Sequence, residues 1–316
     1  MTKVFIDGGE GTTGLRILER FEVRDDVELL KIDPELRKDP AERKKLINAS
    51  DITFLCLPDA AAIEAVSLVD EDNDHTVIID ASTAHRTEAG WAYGLPELGA
   101  EFRDKIRNGR RIAVPGCYAS GFNMIVYPLV KQGIIASDYP VSVFALSGYS
   151  GAGKKAIAMY EGDDKTEDLF APRQYALSQN HKHLKEMKAI SGLDKTPLFT
   201  PVVDDYYCGM IVTFPIYADM MKDRKTPAEL HKIYEEYYKD EEFITVMPFG
   251  SEEEGNNFFA ANAYAGRDDA QIYITGNDDR LLVTARFDNL GKGASGAAIQ
   301  CMNIKLGVDE KTGLNL

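Results

Sequence analysis

The sequence predicts an α/β protein in two parts, a doubly wound parallel-sheet half followed by an α+β half. Three observations carry this. Short apolar strands alternate with helical segments through the first third of the chain, the pattern of a parallel sheet. A glycine-rich turn follows the first strand directly. Beyond residue 117 the alternation stops, and longer strand-like runs take over.

Residues 3–7 read as a buried strand, and Gly8-Gly9-Glu10-Gly11-Thr12-Thr13-Gly14 leads from it into a helix at 15–21. Residues 27–32 form the next strand, closed by Asp33, after which a charged stretch runs to Lys45. The apolar run 51–57 is a third strand, ending at Pro58, and the alanine-rich 60–69 has helical propensity. Residues 76–80 make a fourth strand that leads into Ala81-Ser82-Thr83-Ala84-His85-Arg86. Later strands are expected at 141–146, 200–203, 210–216, 271–274 and 280–287. Helices are expected at 151–160 and 227–238, with a closing helix over 294–306. The expected domains are 1–117 with 288–316, and 118–287. No internal repeat or low-complexity segment interrupts them.

The bulk numbers exclude several classes. The chain has 316 residues, 44% of them hydrophobic and 28% charged, enough for two ordinary domains with sizeable cores. A net charge of −15 argues against a nucleic-acid partner and against an anionic membrane surface. An anionic substrate would have to be drawn by local Arg, Lys or backbone N–H groups. The four cysteines (Cys56, Cys117, Cys208 and Cys301) are scattered, with no CxxC pair and no histidine at ligand spacing, so no metal site is expected. A strand beginning at residue 3 leaves no room for a signal or transit peptide, and no apolar run approaches membrane-spanning length. The expected location is the cytoplasm, where thiols stay reduced.

The glycine turn fits a Rossmann-type dinucleotide-binding domain. Glycines let the backbone approach a pyrophosphate, whose charge meets a helix N-terminus. The candidate contacts are Gly8, Gly11, Thr12, Thr13 and Gly14. The spacing is GxxGxxG instead of GxGxxG, so position in the fold carries more weight than the motif; a plain strand-to-helix turn is the alternative. Asp33 would suit a ribose 2′-hydroxyl and hence NAD, whereas Arg37 and Lys38 would suit a 2′-phosphate. The residues alone leave that choice open.

Cys117 follows Val114-Pro115-Gly116 and precedes Tyr118-Ala119-Ser120-Gly121, which reads as a helix start. A thiol at a helix N-terminus ionises more easily, and a thiolate beside a nicotinamide suggests covalent aldehyde or acyl chemistry. The alternative is an inert buried cysteine. Histidines 181 and 183 are two of only five, and either could exchange a proton with such a thiol near neutrality. Glu186 could orient one of them, and Tyr175 could reach the same cleft. On a strand the two histidines would share a face, as a metal pair requires. The run from Ser147 to Lys155 matches a phosphate-binding P-loop at Gly148, Gly153 and Lys154, but Lys155 stands where a Ser or Thr should bind magnesium. The better expectation is a loop lining the cleft, with Ser147, Gly148 and Gly151 near cofactor. Asn289 could bond a nicotinamide carboxamide, or serve a tight connector. Arg86 could bind a substrate phosphate or a neighbouring carboxylate.

Taken in order, these runs resemble the shorter type of N-acetyl-gamma-glutamyl-phosphate reductase, in the semialdehyde dehydrogenase superfamily. The matching runs are 7–14, 55–58, 80–86, 115–118, 147–153, 181–183 and 288–296, spread over nearly the whole chain. Aspartate-semialdehyde dehydrogenase shares the plan but matches less well. The resemblance implies NADP(H) as cofactor and an acyl phosphate as substrate. It implies Cys117 as nucleophile and one of His181 and His183 as acid/base, His183 being favoured because Glu186 lies three residues on. It also implies a homo-oligomer, dimer or tetramer. The rival readings are a P-loop phosphotransferase, a related dehydrogenase acting on another acyl phosphate, and a non-catalytic NADP(H) sensor.

Overall fold

Along β1 (Thr2–Asp7), Val4 and Ile6 face one way and Phe5 the other, as the two-residue period of a strand requires, and each set finds its own core. The computed structural model describes all 316 residues. They form two units, Met1–Gly116 with Ala294–Leu314, and Cys117–Gly293 with Asn315–Leu316. Cys117 and the segment 288–293 thus pack within the second unit.

The first unit runs β1, α1 (Thr12–Phe21), β2 (Val27–Leu30), α2 (Pro40–Ala49), β3 (Ile52–Leu55), α3 (Asp59–Ser67), β4 (Val77–Asp80), β5 (Ala92–Tyr93), α4 (Ala100–Asn108) and β6 (Arg111–Ala113). Its sheet is wholly parallel, in the order β2-β1-β3-β4-β6-β5. Val4 and Ile6 pack with Ile17 and Phe21 of α1. Phe5 packs on the other face with Ile47 of α2 and with Ala62 and Ala65 of α3. This is the doubly wound arrangement expected from the strand–helix alternation.

The stretch read only as charged contains α2. Its start is well signalled: the Asp39 carboxylate accepts from Ala41 N at 2.7 Å and Glu42 N at 3.2 Å, and Pro40 occupies the first turn. The charges obscured a helix whose buried face includes Arg43, which donates to the buried Asp7 carboxylate at 2.9 Å. Burial raises the Asp7 pKa even against that guanidinium.

The second unit runs α5 (Cys117–Lys131), β7 (Ser142–Gly148), α6 (Lys154–Glu161), β8 (Arg173–Gln174), α7 (His183–Ser191), β9 (Leu198–Asp204), β10 (Met210–Tyr217), α8 (Pro227–Tyr238), β11 (Ile244–Val246), β12 (Ala270–Gly276) and β13 (Arg280–Phe287). The mixed sheet has the order β11-β12-β13-β10-β7-β9-β8. Helix α5 is buried along 118–129 and lies close on this sheet. A Cβ at Gly121 would come within 2.7 Å of Phe287 and Val212 side-chain carbons, so only glycine permits that approach.

Pro128 sits inside α5 and has no N–H for the Met124 carbonyl four residues earlier. The Tyr238 hydroxyl from α8 donates to Met124 O at 2.7 Å instead, and Tyr234 donates to the adjacent Ile125 O. Residues 149–152 form a 3₁₀ turn ended by Gly153 (φ +82°), so the helix expected over 151–160 begins at Lys154. The closing helix α9 (Gly296–Leu306), preceded by a wide turn over Gly291–Ser295, belongs to the first unit's core through Ile299 and Met302. No helix is long and apolar enough to cross a membrane.

Candidate active site

In the first unit the glycine turn joins β1 to α1. Gly8 takes φ +86°, and Gly11 N donates to Gly8 O at 3.0 Å, which closes the turn. A Cβ at Gly14 would lie 2.6 Å from Gly8 O and 2.8 Å from the Gly9 Cα, so glycine there is a packing necessity. Helix α1 begins at Thr12, with no side-chain cap and no acidic residue in its first turn. That leaves a bare, positively polarised backbone end of the kind a pyrophosphate requires. Arg37 reaches the turn and pairs with Glu10 at 2.5 Å. Lys38 is exposed beside it, and the Asp33 carboxylate accepts from Glu35 N at 2.9 Å.

At the end of β4 the buried Asp80 carboxylate accepts from Ser82 N at 2.9 Å and Ser82 Oγ at 2.7 Å, and contacts His85 Nδ1 at 2.6 Å. His85 stacks on Trp91 with centroids 4.1 Å apart. Arg86 turns inward: it is 8% exposed, and its guanidinium donates to Val114 O at 2.9 Å and Ala81 O at 3.1 Å. These bonds hold together the ends of the chain after β4 and β6, just upstream of Pro115-Gly116-Cys117.

In the second unit Cys117 is the first residue of α5 and is half-buried. Tyr118 follows and acts as a hub. Its ring meets Tyr175, His181, His183 and Phe199 at centroid distances of 6.4, 5.8, 6.0 and 5.1 Å. The Tyr175 hydroxyl donates to the Tyr118 hydroxyl at 2.8 Å. Burial raises both phenol pKa values, and the neighbouring Cys117 charge raises them further.

His183 opens α7 and is 4% exposed, so the pair sits at a helix start instead of on a strand. Its backbone N–H donates to His181 Nδ1 at 3.2 Å, which makes that nitrogen an acceptor and puts the proton of neutral His181 on Nε2. The two rings are 4.7 Å apart and nearly perpendicular. Glu186, one turn along α7 from His183, is 2% exposed. Tyr118, Tyr175, His181 and His183 thus form one cluster within the second unit, with Cys117 next to Tyr118 in the chain.

The loop after β7 is tied down by its own unit. Gly148, Tyr149 and Ser150 N–H donate to the carbonyls of Gly209, Tyr206 and Tyr207 at 3.0, 2.9 and 3.0 Å. Those three amides are therefore satisfied within the unit. Ser147 is 3% exposed, and Gly151 approaches the Asn289 amide. Asn289 is itself engaged: its Oδ1 accepts from Gly209 N at 2.8 Å and its Nδ2 donates to Ser150 Oγ at 3.0 Å. It is 1% exposed.

With this geometry in place the comparisons are decisive. The family model described as semialdehyde dehydrogenase, dimerisation domain, matches residues 117–289. A Nostoc sp. protein named N-acetyl-gamma-glutamyl-phosphate reductase 2 is 45% identical, covering 99% of both chains. A Brucella ovis protein named N-acetyl-gamma-glutamyl-phosphate reductase is 41% identical over 96% of this chain and 99% of its own. The chain belongs to the N-acetyl-gamma-glutamyl-phosphate reductase family. Its fold is also that of the aspartate semialdehyde dehydrogenase from Francisella tularensis (TM-score 0.71, 16% identity, 96% of this chain and 99% of that one). The Candida albicans enzyme, crystallised with NADP, gives a TM-score of 0.60 at 13% identity, covering 96% of this chain and 98% of that one.

Two residues of this family member's cluster escaped sequence reasoning. Tyr118 is the hub, and its adjacency to Cys117 was the available signal. Gly293 is the other: a Cβ there would lie 2.8 Å from the Cys117 Cβ, so this glycine makes room for the cysteine. Its segment was singled out for its glycines, but nothing in the sequence says that residue 293 returns to residue 117.

Proposed function

We propose that this chain reduces N-acetyl-L-glutamyl 5-phosphate to N-acetyl-L-glutamate 5-semialdehyde, with NADPH as reductant, in arginine biosynthesis. One observation carries the reading: Cys117 opens α5, and the ring of Tyr118 beside it in the chain meets both histidines at the start of α7. The relatives' names and the bare glycine turn agree with it. Gly8, Gly11, Thr12, Thr13 and Gly14 would hold the pyrophosphate of the dinucleotide. Arg37, already at the turn, and Lys38 would favour a 2′-phosphate, and hence NADP(H) over NAD(H).

In this mechanism His183 accepts the Cys117 thiol proton, and the thiolate attacks the acyl carbon. The C–O bond to phosphate breaks, His183 passes the proton to the departing oxygen, and a Cys117 thioester remains. NADPH, held at the glycine turn by Gly8, Gly11, Thr12, Thr13 and Gly14, would supply the hydride that the thioester carbon requires. Collapse of the resulting tetrahedral adduct reforms C=O and breaks the C–S bond, while a solvent proton, relayed by His183, returns to sulfur. Backbone N–H groups in the first turn of α5 would stabilise the oxyanion, a contribution of roughly 3–4 kcal/mol where one donor has been removed in other enzymes. Glu186 would orient His183, and Tyr175 would hold the Tyr118 hydroxyl. The chemistry needs a reduced thiol, which favours a cytoplasmic setting. The dimerisation-domain match supports a homo-oligomer.

The test is the reverse reaction: N-acetylglutamate semialdehyde, inorganic phosphate and NADP⁺, followed at the NADPH absorbance, with aspartate semialdehyde and NAD⁺ as parallel arms. Phosphate-dependent reduction of NADP⁺ with the acetylated aldehyde is expected. Activity confined to aspartate semialdehyde would keep the thioester chemistry and overturn the substrate. Preference for NAD⁺ would overturn the cofactor assignment.

A further inference from the structure

A row of exposed cations runs from the N-cap of α7 along the helix. Lys182, Lys185 and Lys188 recur every three residues, all exposed, along a groove of about 710 Å³ that His181 also lines. Leu184 and Leu193 contribute apolar surface, and no carboxylate is among the groove's lining residues. The one acidic residue of α7, Glu186, is buried away from it, and Asp194 beyond the helix accepts from Ser137 Oγ at 2.7 Å. Lys182 and Lys185, at the helix start, oppose the macrodipole, whereas Lys188 lies in the last turn. The row lies on a chain of net charge −15, whose average field repels anions.

Position gives the row a use. Lys182 is bonded in sequence to both His181 and His183. At 1.5 Å of rise per residue, Lys185 and Lys188 lie only about 3 and about 7.5 Å along the axis from His183. Those spans fall within the screening length of about 8 Å at physiological ionic strength. An anion in the groove therefore feels all three charges, and the groove reaches the histidine side of the cysteine cluster.

We propose that this lysine-lined groove collects the anionic substrate, a small carboxylate bearing an acyl phosphate, and raises its concentration beside His181 and His183. This rests on the reductase reading above. In reverse turnover the anions drawn are inorganic phosphate and the carboxylate-bearing aldehyde.

The experiment compares the full-length protein with the double variant Lys185→Glu/Lys188→Glu and with the charge-conserving Lys185→Arg/Lys188→Arg. Reverse turnover is measured with phosphate and N-acetylglutamate semialdehyde at about 20 mM and about 500 mM ionic strength, where screening lengths differ several-fold. At low salt the Glu variant should lose about 10-fold in kcat/KM for both anions, chiefly through KM. The gap should close at high salt, and the Arg variant should follow the unmodified protein at both. Equal kcat/KM for the Glu and unmodified proteins at low salt would overturn the groove while leaving the reductase reading intact. A loss that persists equally at high salt would also overturn it, because that is not a screened field. Silence of the unmodified protein towards the acetylated aldehyde would remove the reading and the groove together.

Discussion

Tyr175 donates its hydroxyl proton to the Tyr118 hydroxyl at 2.8 Å, and Tyr118 is the ring on which both His181 and His183 rest. Side chains from three stretches of sequence thereby meet around one part-buried bond. Removing the donor leaves a buried phenol short of a partner, a loss of about 1–2 kcal/mol. Tyr175→Phe should lower the urea midpoint accordingly and reduce kcat several-fold. An unchanged midpoint with unchanged kcat would show that the bond positions nothing.

The two histidines should separate cleanly. His181 Nδ1 is engaged by the His183 backbone N–H at 3.2 Å, whereas His183 opens α7 one turn from Glu186. His183→Ala should cost about 10²–10⁴-fold in kcat, the usual range for losing a general acid/base. His181→Asn keeps an acceptor for the His183 N–H and should cost far less. Steady-state kinetics of the two variants decide the assignment, and the reverse order of losses would transfer the proton role to His181.

Gly293 tests whether the space beside Cys117 matters. An added Cβ would lie 2.8 Å from the Cys117 Cβ, inside any normal contact, so Gly293→Ala must push the cysteine or its own turn aside. Misplacing a reacting atom by about 1 Å can cost on the order of 10²-fold. Reverse turnover should fall by that order while NADPH binding, followed by fluorescence, is kept. Normal turnover would mean that Cys117 has room to relax.

The parallel half of the fold was legible because its strands are short apolar runs separated by helices, and Val4, Phe5 and Ile6 alternate between two cores. Helix α2 was not, because Arg43 on its buried face reads as surface charge until Asp7 is known to lie beneath it. The catalytic candidates were legible one at a time: Cys117 by its Pro-Gly approach, the histidines by rarity. Their grouping around Tyr118 was not, since contacts between residues 118, 175, 181 and 199 exist only after β9 and α7 have packed. Asn289 and Arg86 show a second thing the sequence leaves out. Both are polar residues in motif-like runs, and both spend hydrogen bonds on neighbouring backbone.

Alkaline pH should unfold the protein through its buried weak acids. Burial pushes the Cys56 thiol up to about 12, and burial beside Glu161 pushes the Tyr149 hydroxyl up to about 12. In the unfolded chain a thiol loses its proton near pH ~8.5 and a phenol near ~10. Above those values the unfolded state holds fewer protons than the folded one, so stability falls as pH rises towards 12. Each such group contributes a slope of up to about 1.4 kcal/mol per pH unit. Urea midpoints at pH 8, 9 and 10 should decline, and Cys56→Ala should flatten the decline between 9 and 10. A midpoint that holds steady or rises over that range would contradict the shift.

Pro128 and Tyr238 form a compensating pair. The proline removes the N–H that Met124 O would otherwise accept from, and the Tyr238 hydroxyl fills that place at 2.7 Å. Tyr238→Phe leaves a buried carbonyl unsatisfied and should destabilise the protein by about 1–2 kcal/mol. Pro128→Ala restores an N–H to the helix, so the double variant Tyr238→Phe/Pro128→Ala should recover part of that loss. A double-mutant cycle from urea unfolding reads the coupling directly, with an expected interaction of about 0.5–2 kcal/mol for residues sharing one acceptor. Strict additivity of the two changes would mean that Tyr238 stabilises α5 through ring packing alone, and that the Met124 carbonyl finds another donor when the hydroxyl is gone.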